Sequence, residues 1–178
     1  DVNDLGTPQN FLQIALGYSF DDGIFNLCNE RYILKTLSRF GLKDCHPKYS
    51  PLPSNCKLSF GSSPTCEATY RAIIGALLWI ARTTRPDIMF SVIYLSQFVT
   101  CCSEDHLSAA KHVLKYLKTT SDRKIEYKRS EICSYISDCK KLKITVDTDA
   151  DFGSNTTDSK SFTGFLIYLN GCLVDWVT

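Results

Sequence analysis

The sequence predicts an α+β fold in which a β-hairpin comes first, a helical bundle second and a three-stranded antiparallel meander last. An Asp22-Gly23 step separates two apolar runs near the start, and an Asn170-Gly171 step separates two more near the end. Such steps supply the positive φ angles that a tight hairpin turn requires. Between residues 66 and 120 apolar residues recur at helical spacing, which indicates helices with buried faces.

The first helix is predicted directly after the first hairpin. The stretch "NERYILKTLSRFGL" opens with Asn29 as a candidate N-cap and carries apolar residues at helical spacing as far as Phe40. Gly41 suits the end of this helix, because glycine readily adopts the left-handed conformation found there. Residues 43–65 contain four of the six prolines and are predicted to form a linker or long loop.

Three further helices are predicted before residue 120. The first is apolar nearly all round between residues 73 and 81, which indicates that it is buried. Pro86 suits the first turn of the second helix, where a proline loses no hydrogen bond, and Ser103 can cap the third. The third helix carries an apolar stripe formed by Leu107, Ala110, Leu114 and Leu117.

After "TTSD" the pattern changes from helix to strand. "KIEYK" predicts a short strand, "CKKLKITVDTD" a strand that ends in carboxylates, and "SFTGFLIYLNGCLVDWV" a strand, a turn and another strand. The last three strands make up the predicted meander, and we expect one of its apolar faces to be uncovered.

Composition excludes several classes of protein. A net charge of +1 neither favours nor excludes a nucleic-acid partner. Nine cysteines at irregular spacings, without a CxxC pair, argue against a zinc site or a disulfide scaffold and favour reduced thiols in a cytoplasmic or nuclear protein. The stretch "AIIGALLWIA" is too short to cross a bilayer, so no membrane partner is expected. The chain starts within what reads as structured sequence, and we therefore expect a fragment of a longer protein.

Three carboxylates follow the apolar part of the strand that begins at Ile144. Asp147, Asp149 and Asp151 occupy alternate positions, so a continuous strand would direct all three to one face. Magnesium ions in nucleases are held by such oxygen ligands, drawn from several elements of the fold. The alternative is a polar strand end and turn, since aspartate is favoured in turns.

A basic region precedes these carboxylates. Between His106 and Arg129 there are seven basic and two acidic residues, and Lys111, Lys115 and Lys118 share a neighbouring face of the predicted helix. A cationic surface beside an anionic, metal-attracting one suits a protein that holds a phosphate backbone over a nuclease site. The alternative is an ordinary solvated helix face. No Ser/His/Asp or Cys/His pattern and no glycine-rich phosphate loop is present in the sequence.

Several motifs, taken in order, resemble one family. They are "YRAIIGALLWIARTTRPDIMFSVIYLSQF", "HLSAAKHVLKYLKTTSD" and "DTDADFGSNTTDSKSFTGFLIYLNGCLVDW", preceded by "ERYILKTLSRFGLKDCHP". The chain resembles the Pol polyprotein of copia-type (Pseudoviridae) LTR retrotransposons, from the end of the reverse transcriptase into ribonuclease H. The resemblance divides the chain into the end of the palm with a primer-grip hairpin and first helix (1–42), the Pro/Ser-rich linker (43–65), a thumb-like helical region (66–120), a connector (121–140) and the N-terminal part of a ribonuclease H-like domain (141–178).

The resemblance also implies roles for particular residues. Asp149 would be the first metal-binding carboxylate of ribonuclease H, with Asp147 and Asp151 beside it and Mg²⁺ as the cofactor of the parent enzyme. Nucleic acid, as template-primer or an RNA–DNA hybrid, would be held by the residues Phe11, Leu12, Gln13, Lys111, Lys115, Lys118 and Arg123.

The parent function implied is RNA-templated DNA synthesis with hydrolysis of the RNA strand, in the cytoplasm within virus-like particles and in the nucleus. The polymerase aspartate pair would lie upstream and the remaining ribonuclease H carboxylates downstream. We therefore expect this chain alone to be catalytically incompetent and to act with the remainder of the Pol polyprotein. One alternative is a non-catalytic helical module that binds nucleic acid or protein, and another is a self-sufficient magnesium nuclease.

Overall fold

The described residues form an α+β fold, as predicted, with two antiparallel sheets and four α-helices. The computed structural model describes residues 3, 6–54, 56–60, 67–129, 142–150 and 161–178. The strands are β1 Asn10–Phe11, β2 Ile14–Ser19, β3 Ile24–Cys28, β4 Ile125–Lys128, β5 Ile144–Ala150, β6 Thr163–Leu169 and β7 Cys172–Val177. The helices are α1 Glu30–Arg39, α2 Glu67–Thr83, α3 Met89–Ser96, preceded by a 3-10 turn at Pro86–Ile88, and α4 Glu104–Thr119.

The first sheet has the strand order β1-β2-β3-β4. Strands β2 and β3 form the predicted hairpin, with Ser19 paired to Ile24 and Gly23 at φ +64° in the turn. Strand β4 comes after all four helices and adds to the open edge of β3, where Leu27 pairs with Ile125. The "KIEYK" strand therefore belongs to the same sheet as the N-terminal hairpin.

Helix α1 forms where it was predicted and buries Ile33, Thr36 and Leu37. Gly41 follows it at φ +68°, as expected for the residue after a helix end. Asn29 is the N-cap residue of α1, as predicted, but its side chain makes no capping hydrogen bond. Asn29 is 1% exposed, its amide nitrogen donates to Thr83 Oγ1 at 2.5 Å, and its side-chain oxygen accepts no hydrogen bond from the first turn of the helix. A buried polar side chain needs a hydrogen-bond partner, and the packed helices place the Thr83 hydroxyl within reach of the Asn29 amide.

The main core lies among the four helices. Between residues 73 and 81 of α2 only Gly75 is exposed, as predicted, and the predicted stripe of α4 is buried. Ser103 precedes α4, and its backbone N–H donates to His106 Nδ1 at 3.0 Å in a capping box that uses histidine in the place of glutamate or glutamine. No helix in the described ranges is long and apolar enough to span a membrane.

The second sheet is the predicted meander, with the order β5-β6-β7. Asn170 and Gly171 both have positive φ in the β6–β7 turn, at +50° and +83°. The sheet rests on the helical core through Trp176, whose indole N–H donates to the Ala81 carbonyl at 2.8 Å. On its other face the exposed apolar side chains include those of Ile144 and Val146, whereas Phe165 and Ile167 are half-buried.

Candidate nucleic-acid interface and carboxylate strand

The hairpin tip, Phe11–Gln13, connects β1 to β2. Phe11 pairs with Ile14, so Leu12 and Gln13 form a two-residue turn with φ angles of +48° and +70°. Positive φ at both central positions is the backbone of a type I′ turn, in which asparagine and glycine are the usual residues. Leucine and glutamine are strained there, because the Cβ atom approaches the following carbonyl oxygen. The turn was not predicted from the sequence, since it contains neither glycine nor asparagine.

The side chains at this turn point into solvent. Phe11 is 61% and Leu12 62% exposed. Gln13 lines a cleft of about 570 Å³ between the hairpin tip and α1, together with Asn10, Arg31, Tyr32 and Lys35. The three residues predicted to bind nucleic acid in this region therefore lie together at one projecting turn.

The three lysines predicted on α4 are only partly exposed, and each has different surroundings. Lys118 Nζ donates to the Cys45 carbonyl at 2.9 Å and so ties the loop after α1 to α4. Lys111 lines a cleft with Arg39. Lys115 lies near His112. Burial lowers the pKa of the His112 imidazole and neighbouring lysine charges lower it too, whereas a hydrogen bond to a backbone carbonyl raises it.

Arg123 lies just beyond α4 and belongs to a different cluster. Its guanidinium is exposed, donates to the Tyr116 hydroxyl at 3.1 Å and lies 3.7 Å from Asp87 Oδ2. Any phosphate that approaches Arg123 would therefore compete with the Asp87 carboxylate.

Two of the three predicted carboxylates share one face of β5. Asp147 pairs with Leu166 and Asp149 with Gly164, so both carboxylates lie on the face that is directed toward α3. They line a cleft of about 340 Å³ whose apolar wall includes Phe90 of α3 and Phe162. Asp151 lies outside the described residues.

The cleft at these carboxylates is polar on one side and aromatic on the other. Phe90 and Phe162 meet edge to face with centroids 5.3 Å apart. No lysine or arginine within the described ranges forms an ion pair with Asp147 or Asp149. The described residues contain no group of three or more His, Cys, Asp or Glu side chains placed to hold a metal ion. The two carboxylates thus offer oxygen ligands on an open strand instead of a closed cage.

Similarity to known proteins covers nearly the whole chain. The Pol polyprotein of transposon RE1 from Arabidopsis thaliana is 33% identical over 85% of the chain. That of transposon TNT 1-94 from Nicotiana tabacum is 28% identical over 99%. A putative transposon Ty5-1 protein from Saccharomyces cerevisiae is 30% identical over 98%. The chain belongs to the copia-type retrotransposon Pol family.

This Pol segment spans only part of its relatives. It covers 10% of the RE1 polyprotein, 13% of the TNT 1-94 polyprotein and 54% of the Ty5-1 protein. No family profile matches it, and no solved structure does either.

One polar cluster of the Pol segment was missed by the sequence reasoning. Arg85 is 1% exposed, and its Nε and Nη2 atoms donate to the two oxygens of Asp87 at 2.8 and 2.7 Å. Its Nη1 donates to the Thr120 carbonyl at 2.7 Å, and Tyr116 donates to Asp87 Oδ2 at 2.7 Å. The "TRPDI" motif was the available signal, but sequence alone gave no reason to bury its arginine. The cluster joins the α2–α3 turn to the end of α4 and thereby orients the helices against one another.

Proposed function

We propose that this segment is the nucleic-acid-holding part of a transposon reverse transcriptase that continues into ribonuclease H. The hairpin tip and the helical region hold an RNA–DNA hybrid or template-primer, and Asp149 contributes to a magnesium-dependent site that hydrolyses the RNA strand in the parent protein. The single observation that carries this proposal is the hairpin tip, which combines a strained backbone with exposed apolar side chains.

The energetics of the tip favour a contact role. A left-handed conformation costs a non-glycine residue roughly 1–2 kcal/mol, and Leu12 and Gln13 both adopt it. Burial does not offset this cost, because Phe11 and Leu12 expose more than half of their surface. Backbone strain of this kind tends to persist at sites that contact a ligand. Exposed apolar side chains at a turn suit contact with the sugars and bases of a nucleic-acid end.

The carboxylate strand is proposed to bind Mg²⁺. Protein-bound magnesium usually keeps several waters and takes one or two carboxylates together with substrate phosphates. Asp147 and Asp149 fit that pattern, since they share a face of β5 and meet no described cation. Their side chains would hold the ion next to the RNA phosphate, and the ion would supply charge stabilisation for phosphodiester hydrolysis.

Affinity for a fluorescein-labelled RNA–DNA hybrid, measured by anisotropy, tests the proposal. Leu12→Gly relieves the left-handed strain, because glycine adopts positive φ readily, so the free energy of unfolding should not fall. Loss of the apolar side chain should nevertheless weaken hybrid binding at least fivefold. Leu142→Gly is the matched control, since it removes a 74% exposed leucine side chain that belongs neither to the tip nor to the helical region. Equal affinities for wild type and Leu12→Gly would contradict the proposed role of the tip.

A second candidate is a module that binds another protein. Exposed apolar side chains on the second sheet favour it, because Ile144 and Val146 are 67% and 50% exposed, and apolar surface of this kind often marks an interaction site. Double substitution of Ile144 and Val146 by threonine distinguishes the two candidates. It should leave hybrid affinity unchanged if nucleic acid is held at the hairpin tip.

A further inference from the structure

Part of the loop after α1 is held along α4, and we call residues 45–54 of this loop the strap. The Cys45 carbonyl accepts a hydrogen bond from Lys118 Nζ at 2.9 Å. The Ser50 carbonyl lies 3.2 Å from His112 Nε2, which must carry the proton there because a carbonyl oxygen only accepts. Since Lys118 comes six residues after His112 in α4, the strap runs antiparallel to this helix.

Ser50 lies in the exposed part of the strap. Residues 46–50 are all exposed, whereas Cys45 before them and Leu52 after them pack against the helical core. Ser50 is followed directly by Pro51, and a serine before a proline is the acceptor that proline-directed protein kinases use. The proline ring favours an extended backbone at the residue before it, and kinases bind their substrates extended. The strap therefore presents a serine with the sequence context and the exposure that such a kinase requires.

Three basic side chains lie at this part of the strap. His112 donates to the Ser50 backbone, and Lys115 lies three residues further along α4, on the same face. Lys48 belongs to the strap itself. Burial lowers the pKa of the His112 imidazole, and the charges of Lys48 and Lys115 lower it too, so the three groups lie close enough for their charges to interact. Within the described ranges none of the three forms an ion pair.

We infer that Ser50 is a phosphorylation site whose phosphate is bound by His112, Lys48 and Lys115. The inference goes beyond the proposed function, because neither the modification nor the capture of the phosphate depends on nucleic acid. A kinase transfers the γ-phosphoryl group of ATP to Ser50 Oγ. A new O–P bond forms, the bond from the γ-phosphorus to its bridging oxygen breaks, and ADP leaves with that electron pair. The hydroxyl proton passes to the base of the kinase.

The phosphate is expected to fix the strap on α4. A phosphoserine carries a charge of about −1.5 to −2 near pH 7 and three strong acceptor oxygens. Opposite a cluster of cations, such a group makes roughly one to three charge-assisted hydrogen bonds and orders the loop that carries it. The existing hydrogen bond from His112 to the Ser50 backbone already holds this residue beside α4, so the loop pays little additional entropy for the capture.

Kinase treatment followed by peptide mass spectrometry tests the modification. The whole chain is incubated with ATP and a mitogen-activated protein kinase, a class that selects proline directly after the acceptor serine. We expect phosphate on Ser50. Its rate of formation should fall about tenfold or more in Pro51→Ala, because the kinase loses contact with the ring and the backbone loses its restriction. An unphosphorylated Ser50, or a rate that does not depend on Pro51, would overturn the site.

The capture is tested by ³¹P nuclear magnetic resonance of the chain with phosphoserine incorporated at position 50 during translation. Nearby cations stabilise the dianion, so the second pKa of the phosphoserine, ordinarily about 6, should be lower by about half a unit or more in the folded chain than in the chain unfolded by urea. His112→Gln combined with Lys115→Ala should remove most of this difference. Lys48→Ala, an exposed change that leaves the packed helices intact, should remove part of it.

The matched control is Lys143→Ala, which removes an exposed lysine next to β5 and should leave the phosphoserine pKa as in the otherwise unsubstituted chain. Circular dichroism verifies that each variant is folded. Equal phosphoserine pKa values in the folded and unfolded chains would overturn the capture. A difference that persists in the double variant, or one that Lys143→Ala reduces equally, would overturn it too, because the phosphate would then respond to net charge and not to these three side chains.

Discussion

Substitution of Asp87 by asparagine tests whether the buried arginine cluster holds the helices together. Asp87→Asn keeps the shape of the side chain but removes the charge opposite Arg85, whose side chain is only 2% exposed. Removing one partner of a fully buried ion pair costs about 3–5 kcal/mol. Because the Asp87 side chain is 31% exposed, and its amide oxygen can still accept one hydrogen bond, we expect a smaller loss of about 2–3 kcal/mol.

The pH dependence of stability provides a second test of the Asp87→Asn prediction. Burial alone would raise the pKa of the Asp87 carboxyl, but hydrogen bonds from Arg85 and Tyr116 and the charges of Arg85 and Arg123 outweigh it and hold the pKa below its usual value of 3.8. A depressed pKa stabilises the fold at pH values above about 3.9, and this contribution is lost as pH falls through the folded-state pKa. The stability difference between wild type and Asp87→Asn should therefore narrow below about pH 4.

Urea unfolding followed by circular dichroism, at pH 7 and at several values down to pH 3, measures both effects. Tyr116→Phe is the matched control, because it removes one hydrogen bond to Asp87 and leaves the ion pair in place; it should cost only about 1 kcal/mol. A loss below 1 kcal/mol for Asp87→Asn, or a difference that stays constant down to pH 3, would refute the argument.

Two other predictions concern single contacts. Burial lowers the pKa of His106 below 6.5, against the opposing charge of a neighbouring aspartate, so the folded state prefers the neutral ring and stability should fall as pH drops from about 7 toward 5. His106→Gln can still accept a hydrogen bond from the Ser103 N–H but does not titrate. The urea midpoints of this variant at the two pH values should therefore differ less than those of wild type, although His112 retains part of the pH dependence of stability. A difference as large as in wild type would contradict the role assigned to His106. Trp176→Phe removes the hydrogen bond to the Ala81 carbonyl and should lower the free energy of unfolding by about 1–2 kcal/mol. A change below 0.5 kcal/mol in a calorimetric comparison would show that this contact does not hold the second sheet on the helices.

Local patterns were sufficient to predict most of the elements. The Asp22-Gly23 and Asn170-Gly171 turns lie where these residue types readily supply positive φ. The apolar stripe of α4 is buried because helical periodicity places its members on one side. The alternation of β5 correctly predicted that Asp147 and Asp149 share a face, since side chains in a strand alternate between the two faces.

Contacts between segments that are distant in sequence could not be predicted from the sequence. Asn29 was predicted to cap α1, but its side chain bonds to Thr83 because the packed helices bring that hydroxyl within reach. The Leu12-Gln13 turn has no sequence signal, and its positive φ angles accompany the pairing of β1 with β2. The same limit applies to α1, since only the folded chain shows that this helix lies between the hairpin tip and Lys111.

Hydrophobic periodicity and the residue types of turns depend on a few neighbouring residues. The sequence alone therefore determines where helices, strands and tight turns occur in this Pol segment. Its sequence motifs also identify the family. Tertiary structure decides which polar groups meet. Arg85 reads as an ordinary surface cation, yet it is buried because Asp87 and Thr120 together satisfy its donors at one point in space. Desolvating a guanidinium is favourable only when several acceptors converge on it, and convergence is a property of the packed chain.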